Sequence, residues 1–209
     1  MRAAYMSRIW LRARLSVIRL LHDRSGIAAT EFAVIAPIML VLFFGTVEFS
    51  SGVAVDRKVT LVARTLSDLT SQSSAAVDDT YLQNVFTASI GILWPYSPTP
   101  TKAQLSEIYV DSTSVAKVKW SKAATIGSGA TQATLTTSSR NAGDTVTLPT
   151  ALLVPQTYLI FSEVSYLYTP AVGYVMSKTG VTLADVSYTR PRQVTCVVYN
   201  TVPVGCPLP

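Results

Sequence analysis

The longest apolar run in the sequence lies near its N-terminus. Residues 32–47 carry no formal charge, and counting back to Ile27 gives twenty-one residues that only Glu31 interrupts. At about 1.5 Å per residue, a helix of that length spans about 32 Å, which is close to the thickness of a bilayer core. Because the segment has no polar face, the pattern predicts a transmembrane helix over 27–47 rather than a buried helix of a soluble domain.

A stripe of apolar residues at helical spacing follows this span. Its members recur at intervals of four and three residues and are Val55, Val59, Val62, Leu66 and Leu69. Such spacing places them on one face of a helix, with the charged residues between them on the other. The sequence therefore predicts an amphipathic extension over 48–72 that packs on the protein's own sheet, with packing on a partner helix as the alternative.

Beyond residue 72 the pattern changes from helix to strand. Asp78 or Asp79 is placed to cap a short helix over 80–92, and the prolines of 94–101 predict an extended connector, so 73–101 form one segment. Short runs rich in Val, Thr and Tyr then predict strands near 106–111, 115–121, 131–137, 157–167, 181–188 and 193–200. The predicted fold class is α+β, with the long helix packed on a mostly antiparallel, β-rich domain over 102–209.

Polar positions along these strands predict one solvated face of the sheet. In 115–121 the alternation sends Lys117 and Lys119 to one face. It sends three residues, Ala116, Val118 and Trp120, to the other face. The acids scattered over the strands are expected at the solvated surface, and they include Glu107, Asp111, Glu163 and Asp185.

The positive charge of the chain is confined to its first residues. Residues 1–26 contain six arginines and one acid, whereas the rest of the chain carries 11 basic and 11 acidic residues. Basic residues just before an apolar span are a topology signal, so the leader 1–26 is expected in the cytoplasm and the C-terminal domain outside. This distribution does not indicate a nucleic-acid partner.

Glu31 is the residue that an apolar span does not explain. A carboxylate in hydrocarbon costs about 2.5 kcal/mol or more. If the chain were cut after Gly26, Ile27 would become the N-terminus and its α-amine, with an ordinary pKa of about 7.7 to 8, would offer a positive partner. An anchoring glutamate at headgroup depth is the alternative.

The residues around Glu31 resemble the type IV prepilin signature. A basic leader ends in Gly26, four residues follow, and then come Glu31, Phe32 and an apolar helix. The run RSGIAATEFAVIAPIMLVLFFGTVEFSSG is similar to the N-terminal module of the TadE-like minor pseudopilins, including Pro37 and a second acid-aromatic pair, Glu48-Phe49. Later stretches that also resemble members of this family are VARTLSDLTSQ, VAKVKWSK, FSEVSYLYTP and YTRPRQ.

The resemblance implies a minor pseudopilin of a tight-adherence (Flp) pilus, or type II-like secretion, system. Such a protein would cross the inner membrane once and be cut between Gly26 and Ile27 by a prepilin peptidase. Glu31 and Phe32 would then act in assembly, and Pro37 would mark a helix kink. The implied partners are that peptidase, membrane lipid, other pilins and pseudopilins, and the inner-membrane assembly platform.

Two other functions are compatible with an apolar N-terminal segment. One is an uncut, single-span scaffold of the assembly machine. The other is an exported protein released by ordinary signal peptidase at Gly52-Val53-Ala54. The three readings differ in the mature N-terminus, which would be Ile27, Met1 or Val55.

The two cysteines, Cys196 and Cys206, have nine residues between them. In an oxidising compartment they predict a disulfide that contributes about 2 to 3 kcal/mol. The single histidine of the chain, His22, lies in the leader, so the sequence offers no histidine-based catalytic triad and little support for a metal site. We therefore expect no enzyme activity, no cofactor and no small-molecule substrate.

Overall fold

The computed structural model describes residues 25–74, 76–170, 179–200 and Cys206. Its helices are α1 (Ser25–Ser71) and α2 (Asp79–Ile90), and two short 3-10 helices follow at Gly91–Leu93 and Thr150–Leu152. Its strands are β1 (Thr101–Val110), β2 (Ala116–Thr125), β3 (Thr134–Thr136), β4 (Thr157–Tyr168) and β5 (Val181–Thr189). The arginines and the histidine of the predicted leader lie outside the described residues, as do 201–205 of the predicted disulfide loop.

The chain forms two compact units, Met1–Val47 and Glu48–Pro209. The described part of the first unit is helical throughout, and its large apolar side chains are exposed. Within the described residues, α1 is the one helix long and apolar enough to cross a membrane. The expected apolar helix is confirmed, and its length and composition fit a membrane span.

The second unit begins with the rest of α1, whose apolar stripe is buried. Val55, Val59, Val62 and Leu66 have no exposed surface, and Leu69 is partly buried against the same core. The Ser162 hydroxyl on β4 donates a hydrogen bond of 2.6 Å to the Ala63 carbonyl of the helix. The helix therefore packs on the protein's own sheet, as the spacing predicted.

The sheet has five strands in the order β3-β2-β1-β4-β5, and each neighbouring pair is antiparallel. Five of the predicted strands are confirmed, and the α+β fold class with them. β1 begins at Thr101, five residues earlier than predicted. The predicted extended connector is wrong, since residues 94–100 form turns and bends. The predicted cap of α2 is Asp78, whose side chain accepts the Tyr81 N–H at 2.7 Å.

The predicted strand over 193–200 is wrong. Residues 194–200, which we call the C-terminal strap, are held by side chains and one isolated bridge, Val77 to Tyr199. The Val197 N–H donates to Glu107 Oε1 at 2.5 Å, and the Val197 carbonyl accepts the Trp120 indole N–H at 2.7 Å. Because side chains satisfy these backbone groups, the strap does not need a strand partner. The predicted disulfide is confirmed, and it joins Cys196 of the strap to Cys206.

The prediction of one solvated face of the sheet is also wrong in part. The pairing of β1 with β2 shifts between Glu107 and Ile108, so that Lys119 is an extra residue on β2. This bulge reverses the alternation. Trp120 consequently packs with the helix-side core, whereas Ala116 and Val118 belong to a second core on the opposite face, which Val146 and Leu148 help to cover.

Glu107 was expected at the surface but is 2 % exposed. Burial raises its pKa to about 8, although the hydrogen bond from the Val197 N–H, that from Trp120 and the charge of Lys119 oppose the shift. The carboxyl group therefore retains its proton at neutral pH. The expectation failed because the residue that covers Glu107 lies 90 positions further along the chain.

Replacing Leu66 with alanine should destabilise the second unit by about 2–5 kcal/mol, because the side chain is fully buried against the sheet. The matched control is Leu61→Ala on the same helix, since Leu61 is 50 % exposed and its loss should change stability by less than about 0.5 kcal/mol. Denaturant unfolding of the full chain in detergent micelles measures both. Equal losses for the two variants would contradict the buried stripe.

The Glu107→Gln variant should lose a pH dependence that the natural chain has. Between about pH 4.5 and 8 the folded state holds a proton that the unfolded state releases, so stability should fall as pH rises through this window, by a few kcal/mol in total. The amide cannot ionise, so the variant should not show this part of the fall. Unfolding at a series of pH values compares this variant with the natural chain. The control is Glu163→Gln, whose stability should still fall as pH rises through the same window. Parallel curves for all three chains would refute the burial of Glu107.

Candidate functional site

The five residues singled out near the N-terminus all lie in the first unit, on α1. The helix includes Gly26, Ile27, Glu31, Phe32 and Pro37. A Cβ atom added at Gly26 would meet no atom within 4 Å. Within the described residues nothing therefore requires glycine there, which leaves room for a requirement imposed by another molecule.

Ile27 and Glu31 are four residues apart and so lie on one face of the helix, about 6 Å apart along its axis. Both are exposed, as is Phe32, at 71 %. A new α-amine on Ile27 would lie one helical turn from the Glu31 carboxylate. The same exposure leaves Glu31 accessible to a cation on a neighbouring molecule.

The two threonine hydroxyls of 26–47 are satisfied inside the helix. The Thr30 hydroxyl donates to the Ile27 carbonyl, and the Thr46 hydroxyl to the Leu42 carbonyl, each at 2.8 Å. Internal pairing of this kind is what a helix in hydrocarbon requires. Glu31 is the one ionisable residue of 26–47.

The apolar side chains of this segment form a continuous exposed surface. Those more than half exposed are Ile27, Phe32, Val34, Ile35, Ile38, Met39, Leu40, Val41, Leu42 and Phe43. A water-soluble monomer does not expose an apolar surface of this extent. The segment therefore suits lipid or a bundle of similar helices.

Pro37 lies inside this helix and has no N–H to donate to the carbonyl of Ala33. Gly and Pro are tolerated in membrane helices because neighbouring groups satisfy the freed backbone atoms. A kink at Pro37 stays a prediction.

Glu48, the first residue of the second unit, is a feature that the sequence reading missed. It is 3 % exposed, whereas the adjacent Phe49 is 67 % exposed. Tyr168 lies close enough that its pKa is raised first by burial and further by the charge of Glu48. The signal was present in the sequence, because Glu48 stands one heptad before Val55 and so belongs to the buried stripe.

Several charged groups of the sheet are paired within the chain. Arg140 binds Glu163 through two hydrogen bonds of 2.6 Å, a bidentate arrangement. Lys122 lies 3.3 Å from Asp79. The predicted acids thus have structural partners, and Asp111 likewise accepts the Val115 N–H at 2.9 Å in the turn after β1.

Two arginines, Arg190 and Arg192, flank Pro191 after β5, a pattern that would suit a partner's carboxylate. Arg192 instead pairs with Asp68 on α1, and its backbone N–H donates to the Ser71 carbonyl at 2.9 Å. This arginine therefore fastens the chain after β5 to the helix. Among the described residues, no group of three or more His, Cys, Asp or Glu side chains stands where it could hold a metal ion.

The sequence model of one family, described as TadE-like protein, matches residues 26–66. No curated protein and no solved structure matches the chain. The match starts at Gly26 and extends through the apolar helix to Leu66 of the buried stripe. Over this segment the match confirms the resemblance drawn from the N-terminal motif, and likeness to the TadE-like family points to involvement in the assembly of tight-adherence pili.

Proposed function

We propose that this protein is a minor pseudopilin of a tight-adherence pilus system. Residues 27–47 cross the inner membrane with the basic leader in the cytoplasm. A prepilin peptidase cuts after Gly26, and the helix that then begins at Ile27 joins or primes a pilus, while the sheet domain lies outside. The proposal gives the protein no catalytic step of its own.

One observation carries this proposal: a carboxylate stands one turn after Ile27 as the one ionisable residue of 26–47, a helical segment whose large apolar side chains are exposed. Burying Glu31 unpaired in hydrocarbon costs several times the 0.3 to 1 kcal/mol that the helix dipole returns near a surface. A cation is therefore needed, and cutting after Gly26 produces one next to the span. The TadE-like match, which starts at Gly26, supports this position.

The pairing of Glu31 with an amine serves alignment more than affinity. In a low dielectric the desolvation of two charges largely offsets their attraction, so the pair adds little net stability. Leaving either charge unpaired is strongly unfavourable, and a helix added out of register would do so. The amine of a neighbouring subunit therefore sets the register of each helix that enters the bundle.

The mature N-terminus should be Ile27 in cells that contain the prepilin peptidase and Met1 in cells that lack it. Intact mass of the purified protein from both strains measures this. In peptidase-containing cells Gly26→Val should block cutting, and because the space around Gly26 is open the variant should remain folded. An N-terminus at Met1 in both strains would favour the uncut scaffold, and one at Val55 would favour ordinary export.

Replacing Glu31 with valine should allow insertion and cutting but strongly reduce pilus assembly, because the carboxylate that pairs with the neighbouring amine and sets the helix register is lost. Glu31→Asp, which keeps the charge on a shorter side chain, should retain part of the assembly. Thr30→Val is the matched control, since the Thr30 hydroxyl bonds only within its own helix turn. Counts of surface pili, with mature protein level measured in parallel, test this; normal piliation of Glu31→Val would remove the role assigned to the carboxylate.

A further inference from the structure

The first turns of the second unit have an inverted pattern of burial. Glu48 is 3 % exposed, whereas Phe49 and Val53 are 67 % and 37 % exposed. In water the carboxylate belongs outside and the phenyl ring inside, because burying an acid costs free energy and exposing an aromatic ring does so too. A segment that turns its acid inward and its apolar residues outward is suited to apolar surroundings.

The exposed apolar residues of these turns form one surface with the first residues of β5. Phe49, Val53, Val181 and Leu183 line a shallow groove of about 200 Å³, and its floor is formed by Gly52 and Tyr168. We call this surface the base patch. A Cβ atom on Gly52 would lie 3.6 Å from the Tyr168 ring, so the helix and the β4 end are already in close contact beneath the groove.

The charges at the rim set the limit of the base patch. Asp56 is the one charged residue that lines the groove, and Arg57 follows it at an exposed position. Leu167, at the same end of the sheet, is 43 % exposed. Apolar surface therefore ends about two helical turns after Phe49, at the first exposed acid.

The spacing along α1 gives the depth at which the base patch begins. Phe49 and Val53 follow Val47, the last residue of the apolar run, by two and six residues, or about 3 and 9 Å of helix. The interfacial layer on each side of a bilayer core is about 5 to 8 Å thick, and aromatic residues favour it. Asp56 comes about 14 Å after Val47, beyond that layer.

We propose that the base patch lies in the interfacial layer of the membrane, where lipid covers Phe49 and Val181, with Val53 at the outer boundary of that layer. The occupant is lipid because Phe49 follows the apolar run by two residues along the chain with no exposed charge between them, and because the patch ends where exposed charge begins. The sheet domain is then seated on the bilayer rather than held above it. This inference rests on the proposed insertion of residues 27–47.

Spin labels on introduced cysteines test the placement in the full chain, reconstituted in vesicles of phosphatidylethanolamine and phosphatidylglycerol. The chain's own cysteines are joined to each other and do not take the label. The test variants are Phe49→Cys and Val181→Cys. Leu40→Cys within the span reports insertion, and Leu61→Cys, 50 % exposed further along the same helix, reports water.

The ratio of accessibility to oxygen over accessibility to a water-soluble nickel complex should be several-fold higher at positions 49 and 181 than at 61, approaching that at 40. A lipid-like ratio at 40 with water-like ratios at 49 and 181 overturns the inference and leaves the insertion intact. A water-like ratio at 40 overturns both. Protection of 49 and 181 from both reagents that disappears when the protein is diluted with lipid shows a second copy on the patch, and also overturns it.

Discussion

The structure depends on one continuous helix whose two parts satisfy opposite constraints. Up to Val47 its large apolar side chains are exposed, and from Val55 to Leu66 an apolar stripe is fully buried against the sheet. The buried stripe removes apolar area from water at about 25 cal/mol per Å², which organises the sheet domain around the helix. The exposed part has no such partner within the described chain, so its environment has to be supplied by lipid or by other helices.

Charge placement follows the same division. The one ionisable residue of 26–47 is exposed on the apolar helix, whereas Glu48, at the start of the folded unit, is turned inward. In the sheet domain the charges that face each other are paired, as Arg140 with Glu163 and Arg192 with Asp68. Glu31 is thus the carboxylate whose partner we seek outside the described residues, and it lies in the segment that the TadE-like family model matches.

Sequence periodicity was sufficient for features that depend on near neighbours. The helix through Leu66, the cap at Asp78 and five strands follow from local spacing and turn residues, and the N-terminal motif located the segment that the family model matches. Features that depend on distant residues were not accessible. Trp120 changes face because of a bulge that is defined by the register with β1, and strand order is a property of the whole sheet. Glu107 is buried by Val197, which no local pattern relates to it.

The C-terminal strap has a consequence for how the domain is completed. Its Val197 closes over Glu107 on β1, its Tyr199 reaches Asp79 on α2, and its cysteine is joined to Cys206. These contacts join the strap to elements that are synthesised 90 to 120 residues earlier. A nascent or truncated chain that lacks residue 197 leaves a carboxyl group open to water in the middle of the sheet. Closure of the sheet domain over Glu107 therefore waits until Val197 has been synthesised, so this part of the sheet cannot finish folding before the strap is made.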